Sequence, residues 1–337
     1  MCPTPDTQYP MPRRVKCLAL FSGGLDSILA VKVVQEQGIE VLGLTFTTPF
    51  FGAKKAEEAA ETIGLPLLKL DITEEHFAMV KDPRYGYGRN MNPCIDCHTM
   101  MIRKAGELLD HYGADFIITG EVLGQRPMSQ NKQSLHIVAK NSGFNGRVVR
   151  PLSARLLPET APESEGLIDR EKLLDLRGRG RKRQMEMAAR YGITSYTSPA
   201  GGCLLTDLMF SRRLRELLNH NPDPHPREIE LLKTGRHFRI ENGVKIIVGK
   251  NRRDNAMIAG LAGDEDVLLK VTEYPGPCAL IPHGCAEECL LMAAGICAHY
   301  SDAPKDAEVE VRFRKGKETG ILRATAAPRS LIDEMMI

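Results

Sequence analysis

The fold of this chain is decided by the stretch Val15–Ser27, which reads VKCLALFSGGLDS. The apolar run from Val15 to Phe21 predicts a strand, and the residues after Ser27 predict a helix, so two glycines occupy a tight connection. Glycine has no Cβ to block approach to the backbone, and the N-terminus of a helix attracts anions. The pattern predicts a phosphate-binding turn, and the alternative is a plain βα turn with a serine N-cap.

The turn supplies the first group of candidate site residues. We expect the following residues to form the phosphate-binding site: Ser22, Gly23, Gly24, Asp26 and Ser27. A carboxylate at Asp26 repels phosphate, so its expected catalytic role is to bind Mg²⁺ or to shape the turn. The turn lacks the Gly-Lys-Ser/Thr ending of kinase-type phosphate loops.

Composition limits the class of protein. The chain has 337 residues, 42% of them hydrophobic, and this length suggests two domains. The net charge of +2 indicates that basic surfaces are confined to local patches. Nine cysteines are too few for a secreted disulfide scaffold, and Met1–Pro12 holds four prolines and no apolar signal core. We therefore expect a cytoplasmic protein with reduced thiols and no membrane contact.

The order of the predicted elements indicates the fold class. Strands and helices alternate from Val15 to Thr119, which predicts an α/β fold with a doubly wound parallel sheet. Ligands of such sheets bind beyond the carboxyl ends of the strands. After a flexible tail at 1–13 we expect one domain at 14–207 and a smaller α+β domain at 208–337. The three prolines of Asn219–Pro226 mark a plausible boundary.

Three cysteines form the second group of candidate site residues. Cys94 and Cys97 lie in the sequence PCIDCH, and Cys203 follows two glycines. Three thiolates could hold a [4Fe–4S] cluster and leave one iron open to hydrosulfide. The alternatives are persulfide and disulfide exchange, structural zinc with His98 as a fourth ligand, and inert buried thiols.

The other cysteines carry weaker signals. Cys17 lies inside the first predicted strand and is expected in the core. A looser group is formed by Cys278, Cys285, Cys289 and Cys297. Their spacing matches no known metal signature, and a second metal site remains an alternative there.

These motifs together resemble a known class of enzymes. Ser22–Ser27 is similar to the PP-loop signature, which grips the pyrophosphate of ATP while a substrate oxygen is adenylated. Thr119–Gln125 (TGEVLGQ) and Arg150–Leu152 resemble the ThiI-type 4-thiouridine synthetases, and Asn92–Cys97 resembles the MnmA-type 2-thiouridylases. The resemblance covers about 14–207 and implies that Gly120 and Gln125 line the nucleotide end of the sheet.

The second predicted domain resembles a different family. Thr234–Arg239 and Val248–Asn251 are similar to the RNA-binding domain of NFACT proteins. Since no N-terminal RNA-binding module of the ThiI-type enzymes is recognisable, this domain is expected to contact RNA. The candidate RNA-binding residues are Arg179, Arg181, Lys182, Arg183, Arg236, Arg239 and Lys250. For the cluster of 177–183, the alternative is a solvated, basic start of a helix.

The resemblance implies an ATP-dependent tRNA sulfurtransferase that makes 4-thiouridine or 2-thiouridine and releases AMP and pyrophosphate. Sulfur would pass through Cys94, Cys97 and Cys203. The implied cofactors are ATP, Mg²⁺ and a [4Fe–4S] cluster. The implied partners are tRNA and a sulfur donor, either free sulfide or a cysteine desulfurase, and a homodimer is one option. The alternatives are a sulfurtransferase for a small molecule and a non-catalytic RNA-binding factor.

Overall fold

The structure is a computed structural model that describes residues 14–196, 202–240 and 243–337. The expected flexible tail at 1–13 lies outside these residues. Two compact units divide the chain, Met1–Thr206 and Asp207–Ile337, and each is described by itself. Within the described ranges, none of the helices has the length and apolar character that crossing a membrane requires.

The first unit contains a parallel sheet with helices on both faces. Its strands are β1 (Lys16–Leu20), β2 (Glu40–Thr47), β3 (Leu67–Asp71), β4 (Phe116–Thr119) and β5 (Val148–Val149). Its α-helices are α1 (Leu25–Gln35), α2 (Lys54–Ile63), α3 (Thr73–Lys81), α4 (Cys94–Glu107), α5 (Leu109–Tyr112), α6 (Lys132–Ser142), α7 (Ala161–Ser164) and α8 (Lys182–Arg190). The strand order β3-β2-β1-β4-β5 reverses beside β1, so the predicted doubly wound fold is confirmed.

The strand β1 is buried on both faces, which explains its continuous apolar sequence. Cys17 and Ala19 pack into a cluster with α1, whereas Leu18 packs into a second cluster with Ile102 of α4. Cys17 has no exposed surface, and burial raises the pKa of its thiol above the ordinary value. The prediction that Cys17 belongs to the core is therefore confirmed.

The second unit contains an antiparallel sheet of the order β11-β10-β8-β9-β7-β6. Its strands are β6 (Arg236–Arg239), β7 (Lys245–Val248), β8 (Val267–Val271), β9 (Ala279–Ile281), β10 (Val309–Lys315) and β11 (Glu318–Ala324). Its α-helices are α9 (Leu208–His220), α10 (Pro226–Leu231), α11 (Arg252–Leu261), α12 (Glu287–His299) and α13 (Arg329–Met335). The predicted α+β character of this part is confirmed.

The proline-rich stretch Asn219–Pro226 lies inside the second unit, between α9 and α10. The helix α9 belongs with the sheet because Glu216 forms ion pairs with Arg239 and Lys245 at 2.5 and 2.6 Å. Arg213 of the same helix donates hydrogen bonds to the carbonyl oxygens of Leu232 and Gly235. These long-range contacts place the start of the unit before α9.

Candidate active site

The turn between β1 and α1 has the form that a phosphate-binding loop needs. Gly24 is the N-cap of α1, and no side chain bonds to the first backbone N–H groups of the helix as a cap. Gly23 has a φ of +70°, and a Cβ there would lie 2.2 Å from the carbonyl oxygen of Lys55. A side chain at position 23 would therefore clash with the backbone, whereas a Cβ at Gly24 would lie 3.4 Å from the Ser22 hydroxyl oxygen and would not. The serines close the turn, since the Ser27 hydroxyl donates to the Gly24 carbonyl at 2.8 Å and the Ser22 hydroxyl lies 3.4 Å from that of Ser27.

Asp26 lies in this turn, and only one of its two carboxylate oxygens has a hydrogen-bond partner. Its Oδ2 accepts a hydrogen bond from Gln125 Nε2 at 3.0 Å. Its Oδ1 is buried without a hydrogen-bond partner, and Arg181 Nη2 lies 3.8 Å away. A buried carboxylate oxygen without a partner is costly, so this atom fits a cation such as Mg²⁺.

Gly120 lets β4 approach the start of α1. A Cβ on Gly120 would lie 2.6 Å from the backbone nitrogen of Ser27 and 2.7 Å from the carbonyl carbon of Asp26. The absence of a side chain at Gly120 therefore allows the turn to pack against the end of β4. Gln125 contacts Asp26 directly.

The three candidate cysteines lie in one region of the first unit. Cys94 and Cys97 occupy the first turn of α4, and Cys203 begins a segment that hydrogen bonds attach to the rest of this unit. In that segment the Leu204 amide donates to the Phe50 carbonyl oxygen at 3.0 Å, and Leu205 accepts from the Met91 amide at 3.2 Å. Residues 197–201, which precede Cys203, lie outside the described residues.

Burial and mutual repulsion keep these thiols protonated. Burial raises the pKa of Cys97 well above its ordinary value, and the neighbouring sulfurs of Cys203 and Cys94 add to the shift. Burial likewise raises the pKa of Cys203 to about 11, with a further contribution from Cys94. Arg126 opposes the effect of burial at Cys94, whose pKa is raised. The three sulfurs are thus close enough to interact electrostatically, and a positive centre among them would favour their thiolate forms.

The thiols are gathered but are not arranged as a complete set of metal ligands. Throughout the described ranges, no group of three or more His, Cys, Asp or Glu side chains has the arrangement of a metal site. Cys94 Sγ donates to Asn92 Oδ1 at 3.0 Å, and Cys97 Sγ lies 3.4 Å from His76 Nε2. His98 Nδ1 is paired with Glu121 Oε1 at 3.0 Å. Cys285 and Cys289 also form no metal group with other described residues.

Glu121 is the centre of a buried network of ion pairs and hydrogen bonds. Glu121, two residues after β4, bonds to His98 through one oxygen and to Arg150 and Thr119 through the other. Burial alone would raise the pKa of Glu121, but Arg150 and His98 lower it to about 2. His98 is the neighbour of Cys97, and Gln125, four residues after Glu121, bonds to Asp26. The segment 119–125 therefore contacts the turn at 22–27 through Gln125 and the helix that carries Cys94 and Cys97 through Glu121.

Replacing Glu121 by glutamine is expected to destabilise the protein by about 3–5 kcal/mol, because the charge of Arg150 then lies buried without its partner. Urea unfolding measures the change. Glu75→Gln is the matched control, because Glu75 forms an ion pair with Lys104 and its side chain is 56% exposed. The control should lose less than about 1 kcal/mol. Equal losses in the two variants would show that the buried network does not stabilise the fold.

The candidate RNA-binding residues of the first unit differ in their surroundings. Arg179 and Lys182 are exposed, and Arg183 forms an ion pair with Asp175 at 2.9 Å. Arg181 is turned toward Asp26 and its side chain is only 17% exposed. The neighbouring Gly178 amide donates to the Leu123 carbonyl oxygen at 2.7 Å. The basic segment thus passes beside the nucleotide turn.

The candidates of the second unit are mostly engaged within the protein. Arg236 lies over the ring of Tyr300, with 4.4 Å between the guanidinium carbon and the ring centroid. Arg239 pairs with Glu216 and donates to the Gly243 carbonyl oxygen. Lys250 is exposed. Two of these three side chains thus contribute to the stability of the unit.

Sequence reasoning missed several residues of the site. His76 lies beside Cys97 and packs against the rings of Phe50 and Phe51, with centroid distances of 5.6 and 5.2 Å. Burial lowers the pKa of His76 to about 4, so the ring is neutral. The pairing of Arg181 with the turn was also missed. Neither follows from spacing along the chain, because each contact is formed by elements far apart in sequence.

Comparison with known families supports this organisation. Residues 14–155 match the model of the family described as thiamine biosynthesis protein (ThiI). Residues 235–336 match the model described as NFACT protein RNA binding domain. The two resemblances expected from the sequence are therefore confirmed, each in its own part of the chain.

Individual relatives match shorter parts. The tRNA-specific 2-thiouridylase MnmA of Syntrophotalea carbinolica is 30% identical over 177 residues, which cover 44% of this chain and 50% of that protein. A probable tRNA sulfurtransferase of Thermococcus kodakarensis is 27% identical over 155 residues, covering 42% of this chain and 38% of that protein. The chain spans at most half the length of these curated relatives. Among solved structures, a 4-thiouridine synthetase in complex with RNA and bound ATP has 24% sequence identity to this chain and a TM-score of 0.33. The match covers 41% of this chain and 36% of the synthetase chain.

Proposed function

We propose that this protein is an ATP-dependent sulfurtransferase that thiolates a uridine of tRNA. The observation that carries the proposal is the connection between the two groups of site residues: the segment 119–125 bonds to Asp26 of the turn and to His98, the neighbour of Cys97. An enzyme that activates an oxygen with ATP and then replaces it with sulfur needs a nucleotide site and a sulfur site side by side. The match to the ThiI family supports this reaction, and the match to the NFACT RNA-binding domain supports an RNA substrate.

The first step is adenylation. The uridine carbonyl oxygen attacks the α-phosphorus of ATP, an O–P bond forms, and pyrophosphate leaves into the turn. The free N–H groups at the start of α1 would hold the leaving pyrophosphate. Asp26 Oδ1 would hold Mg²⁺, which neutralises phosphate charge in such reactions. Gln125 keeps the other oxygen of Asp26 in place.

The second step is sulfur transfer. Sulfide, released from a donor or supplied free, attacks the activated ring carbon, and AMP departs with the former carbonyl oxygen. We propose that Cys94, Cys97 and Cys203 hold a [4Fe–4S] cluster. The chemistry of the donors supports this assignment, since the three cysteines lie in one region of the first unit and thiolates are the usual ligands of such clusters. In the described residues the thiols are not arranged as metal ligands, so binding would have to draw them together and ionise them. The cluster would then bind sulfide at an iron that carries no protein ligand. A cytoplasmic location, where tRNA, ATP and reduced thiols occur together, is part of the proposal.

An exchange assay separates this function from its two rivals. We expect radioactive pyrophosphate to exchange into ATP only when unfractionated tRNA is present, because the adenylated oxygen belongs to the RNA. Exchange with a small thiolatable molecule in place of tRNA would favour a small-molecule sulfurtransferase. Tight tRNA binding without any exchange would favour a non-catalytic RNA-binding factor.

Arg179 and Arg181 should have different roles although they lie two residues apart. Arg179→Ala removes an exposed cation, so tRNA affinity should fall and the slope of log K against log salt should decrease by roughly 0.7–0.9. Arg181→Ala removes the cation that lies 3.8 Å from Asp26 Oδ1, so pyrophosphate exchange should fall by about a hundredfold, the loss expected when a group that stabilises transition-state charge is removed. Filter binding at several salt concentrations and the exchange assay measure the two effects. Identical behaviour of the two variants would place Arg181 on the RNA surface with Arg179.

A further inference from the structure

The loop between α3 and α4 carries an aromatic surface that the proposed reaction has not used. Tyr85 and Tyr87 are 38% and 39% exposed, and they are the only aromatic residues among the large apolar side chains exposed in the described ranges. Met128, which is 60% exposed, lies against the same loop, its methyl carbon 3.9 Å from the position of a Cβ at Gly88. We call Tyr85, Tyr87 and Met128 the tyrosine platform.

Hydrogen bonds hold this loop in one shape. The Tyr85 amide donates to Asp96 Oδ2 at 3.0 Å, and Asn141 Nδ2 donates to the Tyr85 hydroxyl oxygen at 3.0 Å. The Tyr87 hydroxyl donates to the Val80 carbonyl oxygen at 2.7 Å. Aromatic rings held at the surface in this way bury area on a partner at little cost in conformational entropy.

The platform adjoins the candidate sulfur site. Asp96, which anchors Tyr85, lies between Cys94 and Cys97 in the first turn of α4. At the other end of the loop, Asn90 Nδ2 donates to the Thr206 carbonyl oxygen at 2.7 Å, which ties the loop to the segment of Cys203. The loop that carries the platform is thus attached to both chain segments that contain the three cysteines.

The charges around the platform identify its partner. The segments 81–92 and 125–130, together with Asp96, contain four cations and two anions, a net charge of +2. The cations are Lys81, Arg84, Arg89 and Arg126, and the anions are Asp82 and Asp96. The Arg84 guanidinium carbon lies 5.5 Å from the centroid of the Tyr85 ring. Rigid aromatic rings beside arginines suit an unpaired base and its phosphates, which is how proteins recognise single-stranded RNA.

We propose that the tyrosine platform binds an unpaired nucleotide of the RNA substrate by stacking and delivers the target uridine to the cysteine site. This inference rests on the proposed function, which supplies the need to take a uridine out of a folded RNA. Tyr85 and Tyr87 stack on the base, and Arg84 and Arg89 contact the adjoining phosphates. A paired base has no free face to offer, so the platform selects single-stranded RNA.

The binding test uses fluorescein-labelled oligouridine of ten nucleotides and a blunt RNA duplex of the same length. Tyr85→Ala and Tyr87→Ala should each weaken oligouridine binding by roughly ten- to a hundredfold, the cost of a lost stack. Duplex binding and the salt slope should stay unchanged, because no phosphate contact is lost. Tyr85→Phe and Tyr87→Phe should weaken binding only a few-fold, since the rings remain and each variant loses one hydroxyl hydrogen bond. Unchanged oligouridine binding in both alanine variants would overturn the inference, and would leave the surface to a protein partner.

A fluorescence test reads stacking directly and does not depend on activity. The chain contains no tryptophan, so Tyr85→Trp introduces a single reporter. Oligouridine should quench its emission, whereas Tyr112→Trp, at the end of α5 and before β4, should not respond. If quenching is absent, the proposal that the platform stacks on a base is wrong, and the proposed thiolation reaction is unaffected. If quenching occurs but the wild type makes no thiouridine, the platform stands and the proposed reaction falls.

Discussion

Replacing Asp26 by asparagine is expected to reduce tRNA-dependent pyrophosphate exchange by on the order of a hundredfold or more. The substitution keeps the shape of the side chain and the contact with Gln125, but it removes the charge at the buried Oδ1 atom. Loss of a metal ligand at a phosphoryl group costs several kcal/mol of transition-state stabilisation, and about 1.4 kcal/mol corresponds to a tenfold change in rate. Exchange at saturating ATP, with thermal unfolding as a check on folding, measures the effect.

Asp110→Asn is the matched control, because Asp110 is exposed in the short helix α5. It should exchange pyrophosphate like the wild type. If Asp26→Asn also exchanges normally while it remains folded, Asp26 has no part in nucleotide chemistry and the turn needs another explanation.

Replacing Cys94, Cys97 or Cys203 singly by serine should abolish thiolation, with a loss on the order of a thousandfold or more. Residues that act as one unit each cost nearly the whole effect when removed. Pyrophosphate exchange should persist, because adenylation takes place at the nucleotide turn. Mass spectrometry of tRNA nucleosides and the exchange assay, run on the same preparations, separate the two steps.

The second unit offers the controls for the cysteine variants. Cys278→Ser and Cys285→Ser change half-buried thiols of that unit and should leave thiolation intact. Wild-type protein purified without oxygen should be brown and contain about four irons per chain, and each site variant should be colourless. A colourless wild type that still thiolates would replace the cluster with persulfide chemistry at the same cysteines. One zinc ion per chain in place of iron would indicate that the cysteines form a structural metal site and do not transfer sulfur.

Much of the parallel sheet could be predicted because local signals and tertiary packing agree. The apolar runs of β1 and β2 are long, β1 is followed by the glycine turn at 23–24, and helix α2 ends at Gly64 in the left-handed conformation that its sequence suggests. The two-residue strand β5 could not be predicted, since Val148–Val149 is too short to show a period. Likewise, β11 carries alternating exposed residues and lies at the edge of its sheet.

The candidate site was predictable in its residue types but not in its connections. The motif at 22–27 predicts phosphate binding, and the cysteine pair predicts metal or sulfur chemistry. The link through Glu121, His98 and Gln125 depends on side chains from the segment after β4, from α4 and from the turn, which only the folded chain brings together. The tyrosine platform was missed for another reason: the low aromatic content of 5% suggests that stacking is minor. Composition says nothing of where the few exposed rings lie.

The most direct test of the proposed function is a single reconstitution. Unmodified tRNA is incubated anaerobically with the protein, ATP, Mg²⁺ and sulfide, and its nucleosides are analysed by mass spectrometry while AMP is counted. We expect a thiouridine whose amount equals the AMP released, and no thiouridine when ATP is omitted. Release of AMP with no sulfur in the RNA, from protein that carries its full complement of iron, would contradict it.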